Sequence, residues 1–275
     1  MITMRRAPLL LFSCALATGA MACSDLTDAG IVNDEDPLTS ENGLTSNGLT
    51  SNGLTSNGIT SNALVMQALR DQSATGPLSR LFFRYLVSCA LGPNHSVTYT
   101  WTDTTGQLHT EVNPGGLGLA PYWESGPPSQ TDKEVVSACL GARTNSKGVT
   151  VPLSLRGKNI SGLSVTSAER ASYTFGEGAF WGNVFTSPPH LYSCSRVAFN
   201  AGVNTSQYLA QGRTCAAAGC GLITYVGACY TSDIATTGQT CYDRDGSKDW
   251  VSTCNAQKSK FSASTDNVLT TWLLP

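Results

Sequence analysis

An α+β fold is what this chain of 275 residues predicts: disulfide-tied helices, a small antiparallel sheet and a cysteine-rich, loop-dominated tail. Three observations carry that expectation. Two long stretches, Gly76–Gly92 and Thr131–Gly148, place apolar residues at helical spacing between start and stop signals. One stretch, residues 96–112, alternates as a two-stranded hairpin does. Eight cysteines then lie at 89, 139, 194, 215, 220, 229, 241 and 254, too many for a reducing compartment and enough to pair completely.

A first helix is expected from Ser61 or Asn62 as cap to about Arg70, with Leu64, Ala68 and Leu69 as its apolar side. In the run GPLSRLFFRYLVSCALG, Pro77 suits an early position, Leu81, Tyr85, Leu86 and Cys89 share a broad face, and Gly92-Pro93 stop it. Val97, Tyr99 and Trp101 alternate with Ser and Thr, and Leu108–Val112 resume the alternation beyond a turn at 103–107. Asp132 or Thr131 is expected to cap the next helix, which turns Val135, Val136, Cys139 and Leu140 inward and ends at Lys147-Gly148. Because Cys89 and Cys139 both sit on apolar helix faces, their pairing is the first of the 105 possible schemes to expect. A strand follows over 149–157, with Pro152 suggesting an edge. Ser167 opens a short helical turn. Phe175, Ala179, Phe180 and Val184 fall at overlapping helical spacing, interrupted by Gly176, Gly178 and Gly182. In the tail, Leu222–Val226 is a possible strand among loops. Five of the eight cysteines lie from 215 onward, so complete pairing requires a bridge back to the front and hence one domain.

The front of the chain is different in kind. Arg5 and Arg6 precede an apolar run too short to be a permanent anchor, and Ala20-Met21-Ala22-Cys23 follows, so residues 1–22 read as a secretory signal. The end of that signal fits both an ordinary small-x-small cleavage site and the lipobox of bacterial lipoproteins, in which the cysteine takes a diacylglyceryl group with palmitate-class chains. Losing Cys14 with the signal leaves nine cysteines; giving Cys23 to lipid leaves eight, an even set. Lipidation at Cys23 is therefore the expectation, and Ser24, not an acid, after it points to the outer membrane.

Residues 23–64 then hold Thr-Ser-Asn-Gly-Leu units with six acids and no Lys or Arg. A period of five matches neither strand nor helix, and one apolar residue per unit is too little to offset the entropy of ordering. A tether is expected, with a mean span of roughly 35 Å and full extension of about 135 Å. A pentapeptide-repeat β-helix is the competing reading, but Gly stands directly before Leu where that family places Asn or Asp, and the units are too few to stack. Residues 65–275 are expected to form one module, with 195–275 as a cysteine-rich tail packed on it. It carries thirteen acids against fifteen bases, with no basic stripe, so nucleic acid is not an expected partner.

Candidate chemistry is sparse. No nucleophile elbow, zinc-protease helix, phosphate loop or dinucleotide fingerprint is present, and no cofactor or metal is expected. His95, His109 and His190 are too scattered for a usual zinc site, and Asp243, Asp245 and Asp249 fail the EF-hand pattern. Cys89 with His95 is a conceivable thiolate pair, outweighed by the even cysteine set. Glu177, set among Gly, Phe and Trp, is the candidate acid/base, with Glu124, Asp132 or Glu169 as possible second carboxylates. Trp123, Trp181 and Trp250 are candidate ligand-binding aromatics, with burial in the core as the alternative.

The segment Leu16–Cys23, the NGLTS units, VSCALG at 87–92, VSACLGART at 136–144 and EGAFWGNVF at 177–185 together resemble secreted lipoproteins of myxobacteria and related predatory soil bacteria. The resemblance implies a lipid-anchored module in the cell envelope and brings no catalytic residue with it. A binding or structural lipoprotein facing envelope polysaccharide or protein is the leading expectation. An extracellular hydrolase of a polysaccharide or peptide polymer, using Glu177, is the alternative.

Overall fold

A computed structural model describes residues 31–32, 38–39, 57–60, 63–145, 151–196, 215, 219–229, 241–242, 249–251, 253–254 and 267–275. The signal sequence, Cys23, the repeat units before residue 57, Val149, and Asp243 and Asp245 lie outside these residues. Among the described residues no helix is long and apolar enough to cross a membrane.

The helices follow their apolar spacing. Helix α1 spans Ala63–Leu69 and buries Val65 and Leu69. Helix α2, Thr75–Ala90, buries Phe82, Phe83, Tyr85, Leu86 and Cys89, a face wide enough to mark a core helix. Helix α3, Gln130–Arg143, starts two or three residues earlier than expected: Ser129 is its cap, and the Ser129 hydroxyl and Asp132 side chain exchange hydrogen bonds with each other's backbone N–H in a capping box. It also ends earlier, at Arg143 instead of Gly148, because Thr144 turns to extended geometry and joins a short strand. Cys89 and Cys139 face one another across α2 and α3 and form a disulfide with Cα atoms 6.1 Å apart. For a loop of 50 residues the chain-entropy model gives about 4 kcal/mol of stabilisation.

Strands β1 (Ile31–Val32) and β2 (Leu38–Thr39) precede α1; β3 (Ser96–Thr102) and β4 (Leu108–Pro114) form the expected hairpin after α2. Then come β5 (Thr144–Asn145), β6 (Leu153–Arg156), the short helix α4 (Ser167–Ser172), β7 (Phe175–Asn183), β8 (His190–Ser195), β9 (Ile223–Ala228), β10 (Cys241–Tyr242), β11 (Thr253–Cys254) and β12 (Leu269–Leu273). The main sheet runs β1-β6-β12-β7-β8-β9, antiparallel except between β8 and β9. Pro152 stands just before β6, which is not an edge: β1 and β12 flank it. The C-terminal strand β12 thus inserts between two strands from the middle of the chain and closes the module.

Strand β7 corrects the helical spacing read at Phe175–Val184. Every residue of β7 is buried, so no period of two survives in its composition. Its glycines allow close approaches that a helix would not use. A Cβ on Gly182 (φ 131°) would lie 2.5 Å from the His190 carbonyl oxygen of the neighbouring strand.

Two layers cover the sheet. On one face Phe180, Leu191, Leu155 and Leu269 join α1, α2 and α3 in the main core, and α3 comes so close that a Cβ on Gly141 would meet Leu191 at 2.7 Å. On the other face Ala179, Trp181 and Cys194 pack against Cys229, Cys241, Cys254 and Val251. Cys194–Cys229 and Cys241–Cys254 stack there with Cys194 Sγ 3.4 Å from Cys241 Sγ, while Cys215–Cys220 closes a tight loop beside β8. The bridge from Cys194 to Cys229 is the expected link from front to tail. Eight paired cysteines place the module in an oxidising compartment.

Strands β1 and β2 join the module at β6 and β5 within the stretch expected to be a tether, and among the described residues of the repeat the last unit packs on it as well. Ile59 is fully buried in the main core, its N–H donates to the Trp123 carbonyl at 2.8 Å, and Thr60 donates twice to the Glu124 carbonyl. A Cβ on Gly58 would stand 2.5 Å from the Ser125 carbonyl carbon, so this Gly serves close packing as well as turn formation.

Candidate functional site

Loop 157–163 leaves β6 through residues that favour turns. Asn159 takes a left-handed conformation (φ 52°), one that Asn tolerates better than most side chains. Gly162 (φ 87°) presses onto the Leu117 carbonyl, where a Cβ would lie 2.0 Å from the oxygen. With the first turns of α3 and the start of β12, this loop frames a cleft of about 570 Å³, within the range of small-ligand sites. Leu119, Val135 and Ile160 supply its apolar floor, and Thr131, Lys158, Asn159, Ser161 and Asn267 its polar wall.

The wall is braced from behind. The Asn267 amide donates to Glu134 Oε2 at 2.7 Å, and Gln130 Nε2 donates to Glu134 Oε1 at 2.7 Å, so a carboxylate outside the lining orients one of the lining amides. Among the described lining residues Lys158 carries the only charge, and none is aromatic. Such a wall offers hydrogen-bond partners to hydroxyl, amide or carboxylate groups.

The expected catalytic position is elsewhere. Glu177 sits in β7 between β12 and β8, only 5% exposed, with its carbonyl accepting from the Arg196 N–H at 2.9 Å. Both faces of β7 are covered, so Glu177 does not line an open cleft, and a separate, partly buried ionic cluster joins β6, α4 and Asp249. Arg156 donates to Asp249 Oδ1 at 3.2 Å and to the Tyr173 carbonyl at 2.8 Å, while Arg170 reaches Asp249 Oδ2 at 3.3 Å. The Arg156 and Arg196 guanidinium carbons lie 4.3 and 4.6 Å from the Trp272 ring centroid. Burial lowers the Arg156 pKa, and the charges of Asp249 and Glu169 oppose that shift.

The possible second acids separate. Glu124 meets His95 Nδ1 at 2.9 Å, Asp132 belongs to the α3 capping box, and Glu169, buried in α4, lies in the field of Arg156. Cys89 is bonded to Cys139 and so is no partner for His95. Trp123 (0% exposed) and Trp181 (2%) are core residues, a correction to their expected role as binding aromatics: Trp123 packs edge-on against Phe185, and Trp181 lies under the stacked disulfides. Trp250 is half-buried, one residue before Val251 of the disulfide layer. Asp249 is held by Arg156 and Arg170.

A second polar group appears on the hairpin. Trp101 and His109, cross-strand partners, stack with centroids 4.4 Å apart, and Arg80 of α2 lies 3.6 Å from the Trp101 centroid. Glu111 accepts from the Tyr99 hydroxyl at 2.7 Å and from Trp101 Nε1 at 2.8 Å. Burial, then the Glu111 contact, pushes the Tyr99 pKa well above the usual phenol range. Asp103 accepts from His109 Nε2 at 2.8 Å and from the Thr105 and Gln107 backbones, and these bonds hold its carboxyl well below the usual range. This network fixes the hairpin to α2.

Sequence reasoning missed the cleft. Its signal was Gly-Lys-Asn-Ile-Ser-Gly directly after a strand, a loop at a strand end where binding residues gather. Its partners Thr131 and Asn267 are remote in the chain and are brought in by α3 and β12.

The family model described as "GLTT repeat (6 copies)" matches residues 40–65. No curated protein and no solved structure matches the chain.

Proposed function

We propose that this protein is a lipid-anchored module of the bacterial cell envelope with a binding role, exposed to an oxidising compartment and held at the outer membrane through Cys23. The observation that carries the reading is the complete pairing of the module's cysteines. Four disulfides consume Cys89, Cys139, Cys194, Cys215, Cys220, Cys229, Cys241 and Cys254, so once the signal is removed Cys23 is the odd cysteine, and it follows Ala20-Met21-Ala22. Because β1 pairs with β6 and β2 with β5, the spacer between lipid and module is the chain from Ser24 to β1, and the repeat units connect β2 to the docked Ile59. The cleft beside α3 is the ligand site. The hydrolase alternative needs a pair of accessible carboxylates, and the burial of Glu177 does not favour it.

Cys23→Ser tests the anchor. In cells, the wild-type protein partitions with membranes and takes up labelled fatty acid, whereas the variant is released with its module folded. Equal membrane partition of both forms overturns the anchor.

A further inference from the structure

We infer that the cleft bounded by α3, loop 157–163 and the start of β12 takes an acidic saccharide, a sugar unit bearing a carboxylate. This inference rests on the binding role proposed above and names its ligand class. The size comes first: about 570 Å³ accommodates one or two pyranose rings. The polarity comes next. Two amides, Asn159 and Asn267, and two hydroxyls, Thr131 and Ser161, face a ligand from several sides, which suits vicinal hydroxyl groups better than an acyl chain. Leu119, Val135 and Ile160 form an aliphatic floor that matches the C–H face of a sugar ring, and the lack of an aromatic among the described lining residues disfavours a planar nucleobase or flavin. Lys158, the single charge among the described lining residues, selects an anion, and an ammonium pairs with a carboxylate as a point charge without demanding bidentate geometry.

Preorganisation supports the same assignment. Glu134 fixes the Asn267 amide at 2.7 Å, and the left-handed Asn159 and the contact of Gly162 with Leu117 set the loop against the body of the module. A wall positioned before binding loses less entropy when a flexible oligosaccharide arrives. An extended peptide is a weaker fit, because peptides bind sheet edges by backbone pairing and among the described residues no free strand edge lines this cleft.

The test uses the full mature protein in detergent micelles, titrated calorimetrically with trigalacturonate, with neutral galactotriose and with the peptide Ala-Ala-Asp. Trigalacturonate binds, galactotriose binds at least about ten-fold more weakly, and added salt weakens the acidic ligand alone. Lys158→Gln lowers trigalacturonate affinity about ten-fold or more while Lys158→Arg retains most of it. Ser161→Ala, at an exposed position, lowers it several-fold with unchanged melting, which keeps the test valid if one variant folds poorly. Equal affinity for acidic and neutral trisaccharides, or indifference to Lys158→Gln, overturns the assignment. Binding of the peptide in place of either sugar also overturns it and leaves the binding role standing with another ligand. Binding of no probe removes both the saccharide and the binding role, leaving a tethered structural module.

Discussion

Ile59→Ala removes a side chain that belongs to the last repeat unit yet lies at 0% exposure in the main core. Three carbon groups disappear, worth about 0.8 kcal/mol each in transfer, or about 2.4 kcal/mol. The cavity left behind adds roughly 24 cal/mol per Å³, which brings the whole to about 3–4 kcal/mol if the site collapses only partly. For a module of this size that lowers Tm by roughly 7–14 °C. Equilibrium urea denaturation of the oxidised protein, followed by tryptophan fluorescence, measures the loss directly. Ile59→Val costs only about 1 kcal/mol, and deletion of residues 43–52, two earlier units, leaves the midpoint in place. A loss below about 0.5 kcal/mol for Ile59→Ala refutes the docking of this unit, and a large loss on deleting 43–52 refutes the division of labour between docked and connecting units.

Removal of the α2–α3 bridge by Cys89→Ala with Cys139→Ala costs about 4 kcal/mol in thermal or urea unfolding, more than opening the short loop between Cys215 and Cys220. Glu111→Ala strips the acceptor from Tyr99 and Trp101 and lowers stability by about 1–3 kcal/mol, with a change in near-ultraviolet dichroism from Trp101. Since the folded pKa of Tyr99 is raised and its unfolded value is about 10, its contribution is full below pH ~10 and falls as pH rises above that. Ultraviolet titration should find Tyr99 ionising later than an ordinary tyrosine, and Tyr99→Phe should flatten the alkaline loss of stability. Asp103 acts in the opposite direction: its folded pKa is depressed, so its stabilisation is present above about pH 3.9 and disappears as pH falls further, and Asp103→Asn should flatten that acid limb.

How far residues alone lead depends on how much of their environment is local. Helices α2 and α3 and the β3–β4 hairpin announce themselves because their signals, apolar spacing, caps and alternation, lie within each segment. The Cys89–Cys139 pair follows from two such segments, each with a cysteine on its apolar face. Strand β7 does not, since burial on both faces erases alternation and leaves Phe175, Ala179, Phe180 and Val184 at a spacing that also fits a helix. Trp123 and Trp181 look like binding aromatics until the layers that bury them are assembled. Ile59 is hidden for another reason: it has the same sequence neighbours as Leu44, Leu49 and Leu54, and only contact with Trp123 and Glu124 distinguishes it. The cleft needs α3, loop 157–163 and β12 together, and topology alone supplies that meeting.

The intact mass and N-terminal fragment of the mature protein purified from its membranes test the central claim most directly. A chain that begins at Cys23, carries a diacylglyceryl group on its sulfur and retains four disulfides in the module is the predicted result. A mature chain without lipid on Cys23, or one with Cys23 disulfide-bonded to another cysteine, contradicts it.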